Sequence, residues 1–324
     1  MFRITGTITM HHLRHVLAVL VGLCVLVAAV YVTGEWFRRC DYRDKFGVMS
    51  GMLTSVEVTI DERHGGHLFQ SVDLRNDNGI AVSACLKVPA GEEKRYPALV
   101  ILGGLVTGRQ TIDYLDGTSG IILLALDYPY EGKKKKLSAL EFVGSLPRMR
   151  RAVLETVPSV MLGIDYLLTR DDVIPDRIIL AGGSLGALFV PATMAADRRI
   201  TAGAILFGAG DIEFLVRSDL HLPSIVAVPA GWMCAVLTSP VEPLKYVADI
   251  SPRPLFMLNG SVDPRIPVRC SRILHETARE PKTVVWLDTG HLGIRSKEFH
   301  EVVIRELLEW LTSNGLIEST QSQD

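Results

Sequence analysis

The sequence predicts an α/β fold with a mostly parallel central sheet that is flanked by helices. Two short runs, 97–102 and 120–126, are continuously apolar, which is typical of parallel strands that are covered on both faces. Between residues 157 and 168, apolar side chains recur at offsets of 3, 4, 7, 10 and 11 residues, which indicates one helical stripe. Further apolar runs at 177–180 and 201–207 continue the alternation of strands and helices.

The same signals predict elements on either side of this core. The runs 68–74 and 80–89 predict a strand pair, because turn-forming residues separate them. Residues 253–267 predict a buried strand that ends in a Gly/Pro-rich turn, and 282–287 predict one more strand. A terminal helix is expected from the spacing of five apolar residues, Val303, Ile304, Leu307, Leu308 and Leu311.

The strongest functional signal is the motif Gly182-Gly183-Ser184-Leu185-Gly186, which follows directly on the predicted strand at 177–180. A strand that runs into G-x-S-x-G forms a sharp turn, and the glycines are needed because a Cβ would collide with neighbouring backbone. Such a turn would hold the Ser184 hydroxyl at an exposed corner facing a cleft. Ser184 is therefore the candidate nucleophile, and the alternative is a small residue where a helix and a strand pack closely.

Two later loops supply a candidate acid and a candidate base. Asp263 lies in the turn after the strand predicted within 253–267, and His291 lies on the loop after 282–287. Among the nine histidines, His291 is the one that follows a late strand. Asp211, on the loop after the preceding strand, and Asp288 are the alternative acids.

With Ser184, Asp263 and His291 in this chain order, residues from about 68 to 312 resemble the α/β-hydrolase superfamily. The resemblance is to dienelactone-hydrolase-like and esterase members, although dienelactone hydrolases use cysteine where this chain has Ser184. It implies the α/β-hydrolase fold and a serine hydrolase that cleaves a carboxylic ester or thioester through an acyl-enzyme. The alternatives are an acyltransferase or peptidase with the same triad, or a protein of this fold that only binds its ligand.

The resemblance also implies a role for each residue. His291 would take the proton from Ser184 as it attacks, and Asp263 would orient the imidazole and stabilise the imidazolium. This mechanism requires no cofactor and no metal. The histidines of His64-Gly65-Gly66-His67 have no Cys or acidic residue at metal-site spacing around them, which favours a surface loop.

Backbone amides would form the oxyanion hole, the pair of N–H donors that holds the negative oxygen of the tetrahedral intermediate. One donor would be Leu185, directly after the nucleophile. The other would be Gly104 or Leu105, on the loop after the strand 97–102. Many relatives have His-Gly at this place, and here Leu102 replaces the histidine. The swap removes a side chain that usually orders the loop but leaves the backbone donor.

The domain boundaries follow from these assignments. We expect one hydrolase domain over residues 56–316, with a linker at 33–55 and a polar tail at 317–324. Within the domain, the segment 213–247 is too long for a simple connection and predicts a small cap. Its apolar content suggests an acyl or otherwise hydrophobic substrate, and the alternative is that these side chains pack on the sheet.

The N-terminus predicts a membrane attachment. After a tail at 1–15, residues 16–32 carry no charge and would form a helix of about 25 Å, against a hydrocarbon core of about 30 Å. A cleaved signal peptide is the alternative, with Val27-Ala28-Ala29 as the cleavage site. The closely following Arg38 and Arg39 favour a retained single-pass anchor.

Two arginines before this segment and four basic residues after it favour a catalytic domain on the cytoplasmic side. Bacterial signal anchors begin in a similar way and place the domain outside, so the side stays open.

Composition limits the partners. The formal net charge of −2 argues against nucleic acid, and the five cysteines form neither a disulfide framework nor a metal-site spacing. A small-molecule or lipid-like acyl substrate is the expected partner.

Overall fold

The computed structural model describes residues 10–90, 94–104, 107–115, 118, 120–130, 132, 138–292 and 297–318. The chain divides into two units, Met1–Cys40 and Asp41–Asp324, each of which is described by itself. The predicted tail at 1–15 therefore lies partly outside the described residues, as does the end of the tail at 317–324.

The first unit contains one long helix, α1 (Met10–Arg39). Its segment Leu13–Arg39 is long and apolar enough to span a membrane, and none of its most apolar window is buried by protein. A signal sequence near an N-terminus has the same properties. The predicted span at 16–32 lies within α1, which continues through Arg39 where a linker was predicted. An ion pair between Arg38 and Glu35, at 2.8 Å, supports the last turns.

In the second unit, the described residues form one sheet of nine strands. The strands are β1 (Leu53–His64), β2 (His67–Asn76), β3 (Ala81–Pro89), β4 (Tyr96–Leu102), β5 (Ile122–Leu126), β6 (Val173–Gly183), β7 (Ile200–Leu206), β8 (Leu255–Gly260) and β9 (Lys282–Leu287). Their order in the sheet is β1-β2-β3-β5-β4-β6-β7-β8-β9. The pairs β1–β2, β2–β3 and β3–β5 are antiparallel, and the pairs from β5 through β4 to β9 are parallel. The predicted α/β fold with a mostly parallel sheet is confirmed.

Helices connect these strands and cover the sheet. They are α2 (Arg43–Ser50), α3 (Ala139–Leu168), α4 (Phe189–Ala196), α5 (Ile212–Asp219), α6 (Ser224–Thr238), α7 (Pro243–Tyr246), α8 (Val268–Thr277) and α9 (Lys297–Ser313), with 3-10 turns at Gly108–Tyr114, Gly186–Leu188, Ser239–Val241 and Val247–Ile250. The helix α3 begins with a capping box, in which the Ser138 hydroxyl accepts from the Glu141 amide and the Glu141 carboxylate accepts from the Ser138 amide.

The central strands are buried on both faces, as their continuous apolar runs predict. Every residue of β5 and β8 is buried. A core cluster joins the sheet to α9, where Trp310 stacks on Phe256 of β8 with 5.4 Å between ring centroids. Each large apolar side chain buried in this way contributes roughly 1.5–3 kcal/mol. This core holds the carboxyl ends of the parallel strands in fixed positions.

The segment 33–55, which was predicted as a linker, contains regular secondary structure. Residues 43–50 form α2, whose Phe46 is fully buried. Just before α2, the Tyr42 amide donates to the Tyr246 hydroxyl at 3.3 Å, and Arg150 donates to the Tyr42 hydroxyl at 2.7 Å. The compact unit therefore begins near Asp41 and not at residue 56, because two aromatic side chains in a polar stretch are enough to dock it.

The C-terminal boundary also differs from the prediction of a polar tail beginning at 317. Ile317 is buried and belongs to the core cluster that contains α9. Glu318 forms an ion pair with Lys94 at 2.7 Å. Packing on the domain therefore continues at least one residue beyond the predicted boundary at 316.

The segment predicted as a cap, 213–247, contains most of α5, all of α6 and the short helix α7. The helices α5 and α6 pack against each other, and α6 also contacts α3. The segment Ser224–Ile250 is also long and apolar enough to span a membrane, and 33% of its most apolar window is buried. Part of α6 faces solvent, with Ile225 84% exposed.

Candidate active site

Ser184 lies at the turn between β6 and α4, in a left-handed backbone conformation with φ of 53°. The flanking glycines are required by close contacts. A Cβ on Gly186 would lie 2.1 Å from the carbonyl oxygen of Leu102, and one on Gly182 would lie 2.4 Å from the carbonyl oxygen of Gly186. The Ser184 amide donates to Leu206 O of β7 at 2.9 Å. The turn is therefore packed tightly between β4 and β7, as the G-x-S-x-G pattern predicts.

The three residues singled out in the sequence lie in direct contact. Ser184 Oγ is 2.9 Å from Nε2 of His291, and Nδ1 of His291 is 2.6 Å from Oδ2 of Asp263. Both partners are shielded from water, with the His291 side chain 11% exposed and the Asp263 side chain 1% exposed. The ring of Phe207 packs edge-on against His291, with 5.8 Å between centroids. A hydroxyl, an imidazole and a carboxylate are thus connected in series.

The Asp263 carboxylate is oriented by backbone donors. Its Oδ1 accepts from the amides of Arg265 at 2.8 Å and Ile266 at 3.0 Å, which leaves Oδ2 to face His291. The turn after β8 supplies these donors, because the chain reverses direction through Pro264. This arrangement holds the carboxylate in one rotamer.

The loops that carry Asp263 and His291 meet because β8 and β9 are neighbouring parallel strands. Backbone bonds join them beyond the sheet, from Ser261 N to Leu287 O at 2.8 Å and from Val262 N to Thr289 O at 3.3 Å. Gly260 permits this approach, since a Cβ there would lie 2.3 Å from Thr289 O. Asp263 and His291 are therefore brought together by strand order.

The two alternative acids have other partners. Asp211 caps α5, where Oδ1 accepts from the Phe214 amide at 3.2 Å, and its Oδ2 pairs with Arg269 at 3.3 Å. Asp288 accepts from the Ser261 hydroxyl at 3.1 Å. The carboxylate on His291 is that of Asp263.

The oxyanion candidates are placed in part. Leu185 directly follows Ser184 in the turn, and Gly104 lines the same cavity as Ser184. Leu105 lies outside the described residues. The loop that carries Gly104 is braced by a turn, in which Gly104 O accepts from the Thr107 amide at 3.3 Å.

A cavity of about 240 Å³ opens beside Ser184 and His291. It is bordered by β4, by the 3-10 turn after β4 and by α9, and many of its walls are apolar. Those walls include Leu99, Ile101, Leu115, Val303, Ile304 and Leu307. None of the residues in 213–247, all of which are described, lines this cavity, and the assignment of this segment as a cap stays a prediction. The contribution of α9 was not predicted, because its apolar stripe has the spacing of any core helix.

His300, on α9, also lines the cavity, and its ring stacks on Tyr114 with 4.9 Å between ring centroids. Two further histidines lie elsewhere. His67 Nδ1 contacts Gly65 O at 2.9 Å in the turn between β1 and β2. His275 is buried beside β8, where its Nε2 donates to Asn259 Oδ1 at 3.0 Å, and burial lowers the pKa of His275 to about 4. It is therefore neutral at pH 7. In the part of the chain that the structure describes, no cluster of three or more His, Cys, Asp or Glu residues could hold a metal ion.

Solved structures of similar architecture were found with this fold. The acetyl xylan esterase from Paenibacillus sp. R4 superposes with a TM-score of 0.62 at 17% identity, over 83% of this chain and 93% of that chain. Acetyl xylan esterase 1 from Thermoanaerobacterium sp. JW/SL YS485 gives 0.61 at 15% identity, over 85% and 98%. Methylesterase BT1017 gives 0.57 at 16% identity, over 88% and 64%. The chain therefore has the α/β-hydrolase fold.

Similar sequences include the proteins named YfhR. The one from Escherichia coli O157:H7 is 24% identical over 151 residues, 46% of this chain and 50% of the relative. The one from Salmonella typhimurium strain LT2 is 31% identical over 137 residues, 39% of this chain and 44% of the relative. The match thus spans about half the length of these relatives. No protein-family model matches the chain.

Proposed function

We propose that this protein is a serine hydrolase that cleaves a carboxylic ester or thioester through an acyl-enzyme. The observation that supports it most directly is the series of contacts from Ser184 through His291 to Asp263, at the mouth of a cavity. Similar solved structures are esterases, which agrees with ester chemistry. The roles of the three residues are part of this proposal.

In the first half-reaction, Ser184 Oγ attacks the substrate carbonyl while Nε2 of His291 takes the hydroxyl proton. The carbonyl electrons move to oxygen, which the amides of Gly104 and Leu185 stabilise, each donor being worth about 3 kcal/mol. As the intermediate collapses, the bond to the leaving alcohol or thiol breaks, and His291 returns the proton to that group. The acyl group then remains on Ser184.

In the second half-reaction, water takes the place of the alcohol. His291 removes a proton from the water as it attacks the acyl carbonyl, and the second tetrahedral intermediate expels Ser184 Oγ, which recovers its proton. Asp263 keeps Nδ1 of His291 as the donor, so that Nε2 is the basic nitrogen each time. The products are a carboxylic acid and the regenerated enzyme.

Reaction with a fluorophosphonate probe tests the proposal before a natural substrate is known. An activated serine is phosphonylated at neutral pH, whereas a protein that only binds its ligand gives no covalent adduct. We expect a single adduct on the peptide that contains Ser184. Turnover of p-nitrophenyl esters with and without an added alcohol then distinguishes hydrolysis from acyl transfer, because a transferase forms the new ester.

The apolar cavity supports a hydrophobic acyl group as the part of the substrate that binds beside Ser184. Ile304, which is half-buried on the cavity wall, provides the test. We expect Ile304→Phe to lower kcat/KM for octanoyl p-nitrophenyl esters about tenfold or more and to leave the acetyl ester nearly unchanged, since each excluded methylene loses about 0.8 kcal/mol of contact.

Leu308→Phe is the matched control for this prediction. Leu308 is also half-buried on α9 but does not line the cavity. Its chain-length profile should equal that of the wild type. Trp232→Ala in α6 should likewise leave the profile unchanged, and a selective loss on long chains there would place the acyl group under α6 instead.

We further propose that α1 is a retained single-pass anchor and that the catalytic unit lies in the cytoplasm. The 27 residues of Leu13–Arg39 would span about 40 Å, more than the hydrocarbon thickness. Fusions after Asp324 in a bacterial host test both points. We expect fluorescence from a fluorescent-protein fusion, no activity from an alkaline phosphatase fusion, and a full-length product in the membrane fraction. A shortened, soluble product would show a cleaved signal peptide instead.

A further inference from the structure

Tyr128 contacts the loop that carries the proposed oxyanion donor. It follows β5 in the sequence Asp127-Tyr128-Pro129-Tyr130, and its hydroxyl donates to the carbonyl oxygen of Gly103 at 2.5 Å. Burial raises the pKa of Tyr128, so the phenol stays protonated and remains a donor across the whole working range of such an enzyme. A hydrogen bond to this carbonyl restricts the peptide unit between Gly103 and Gly104.

That peptide unit is the one that presents the Gly104 amide. In a trans peptide, the C=O of one residue and the N–H of the next point in opposite directions within one plane. Binding Gly103 O on one side therefore directs the N–H of Gly104 to the other side. Without such a bond the plane could rotate, because glycine on both sides removes the steric limits that a Cβ imposes.

The ring of Tyr128 also contacts the helix that follows the turn of Ser184. It packs against Phe189 with 5.8 Å between centroids. Phe189 is the first residue of α4, the helix that follows Ser184 and Leu185. One side chain thus connects the loop of the Gly104 amide to the helix after the Leu185 amide.

The neighbouring Asp127 holds the far end of the same loop. Its Oδ1 accepts from the Arg109 amide at 3.0 Å, and its carboxylate pairs with the Arg109 side chain at 3.3 Å. Gly108 has a φ of 46° and no room for a Cβ, which would lie 2.3 Å from Asp127 Oδ1. The end of β5 therefore binds the loop at two points, of which only Tyr128 reaches the glycine pair.

We propose that Tyr128 is a positioning residue that directs the Gly104 amide at the oxyanion. The inference rests on the proposed function, because it assigns a role within the same catalytic site. In many relatives a histidine at the position of Leu102 orders this loop. Here Tyr128, which follows β5, would have that role. Tyr128 does not line the cavity beside Ser184, so its effect would pass through the loop.

Tyr128→Phe tests the inference, because it removes only the hydroxyl. We expect kcat on p-nitrophenyl acetate to fall about 10- to 100-fold with KM nearly unchanged, since an oxyanion donor acts in the transition state and not on bound substrate. The inhibition constant of an alkyl boronic acid, which forms a tetrahedral adduct with serine, should rise by a similar factor. Tyr130→Phe is the matched control, being the same change two residues away, and should match the wild type.

Other outcomes would overturn the inference. Wild-type kcat in Tyr128→Phe would show that the loop needs no such support. A raised KM with a lowered unfolding midpoint, and no selective loss of boronic acid affinity, would show a purely structural role. The rate of fluorophosphonate labelling of Tyr128→Phe gives a readout that needs no substrate. Failure of the wild type itself to label or turn over would instead contradict the proposed function, and the inference with it.

Discussion

Ser184→Ala is expected to abolish both ester hydrolysis and fluorophosphonate labelling, with kcat lower by about 10⁴- to 10⁶-fold. The change removes the only atom that forms the covalent bond to the acyl group. We expect the fold to stay intact, because the hydroxyl contacts His291 at the border of a cavity. The measurements are the initial rate on a p-nitrophenyl ester and the free energy of unfolding from denaturant titration. The free energy of unfolding should change by less than about 0.5 kcal/mol. Full turnover by this variant would end the assignment as a serine hydrolase.

His291→Ala is expected to be as damaging as the serine change, and Asp263→Asn about 10- to 100-fold less so. The histidine moves the proton in both half-reactions, whereas the carboxylate acts through the histidine, by orientation and charge. The double variant of Ser184 and His291 should be no slower than either single variant, because members of a triad act as a unit.

Two matched controls separate the acid from its neighbours. Asp211→Asn and Asp288→Asn make the same chemical change on carboxylates that bond elsewhere, to Phe214 and Ser261 respectively. Both should keep nearly wild-type kcat. If Asp211→Asn were the crippling change, the acid would come from the loop after β7 and the assignment of Asp263 would be wrong.

Much of the fold could be predicted, because a parallel strand that is buried on both faces is a continuous apolar run in the sequence. The runs 97–102, 177–180 and 201–207 lie within or overlap β4, β6 and β7. The strand β1 was not predicted, although its polar residues Glu57 and Thr59 alternate with apolar ones as in a half-buried strand. Its pairing with β2 is a long-range property that the local pattern does not carry.

The candidate site could likewise be predicted only in part. Local turn chemistry indicated Ser184, and the chain order of Ser184, Asp263 and His291, through the resemblance it carries, implied that these residues act together. The contact from Tyr128 to Gly103 depends on β4 and β5 being adjacent and on the length of one side chain, so no spacing in the sequence indicates it. The cavity-lining residues of α9 could not be predicted either, because they share one apolar stripe with residues of the core.

The position of α9 has a consequence for how this protein could change its substrates. One face of the helix holds both the cavity wall, through Val303 and Leu307, and the packing on the sheet, through Trp310 and Leu311. Trimming Leu307 to admit a bulkier acid would also remove core contacts, at a cost of about 2–5 kcal/mol of folding free energy. A new preference acquired along this route would therefore need a stabilising change elsewhere first. Variants selected for larger acyl groups should accordingly unfold at lower temperature, unless they change at the half-buried Ile304.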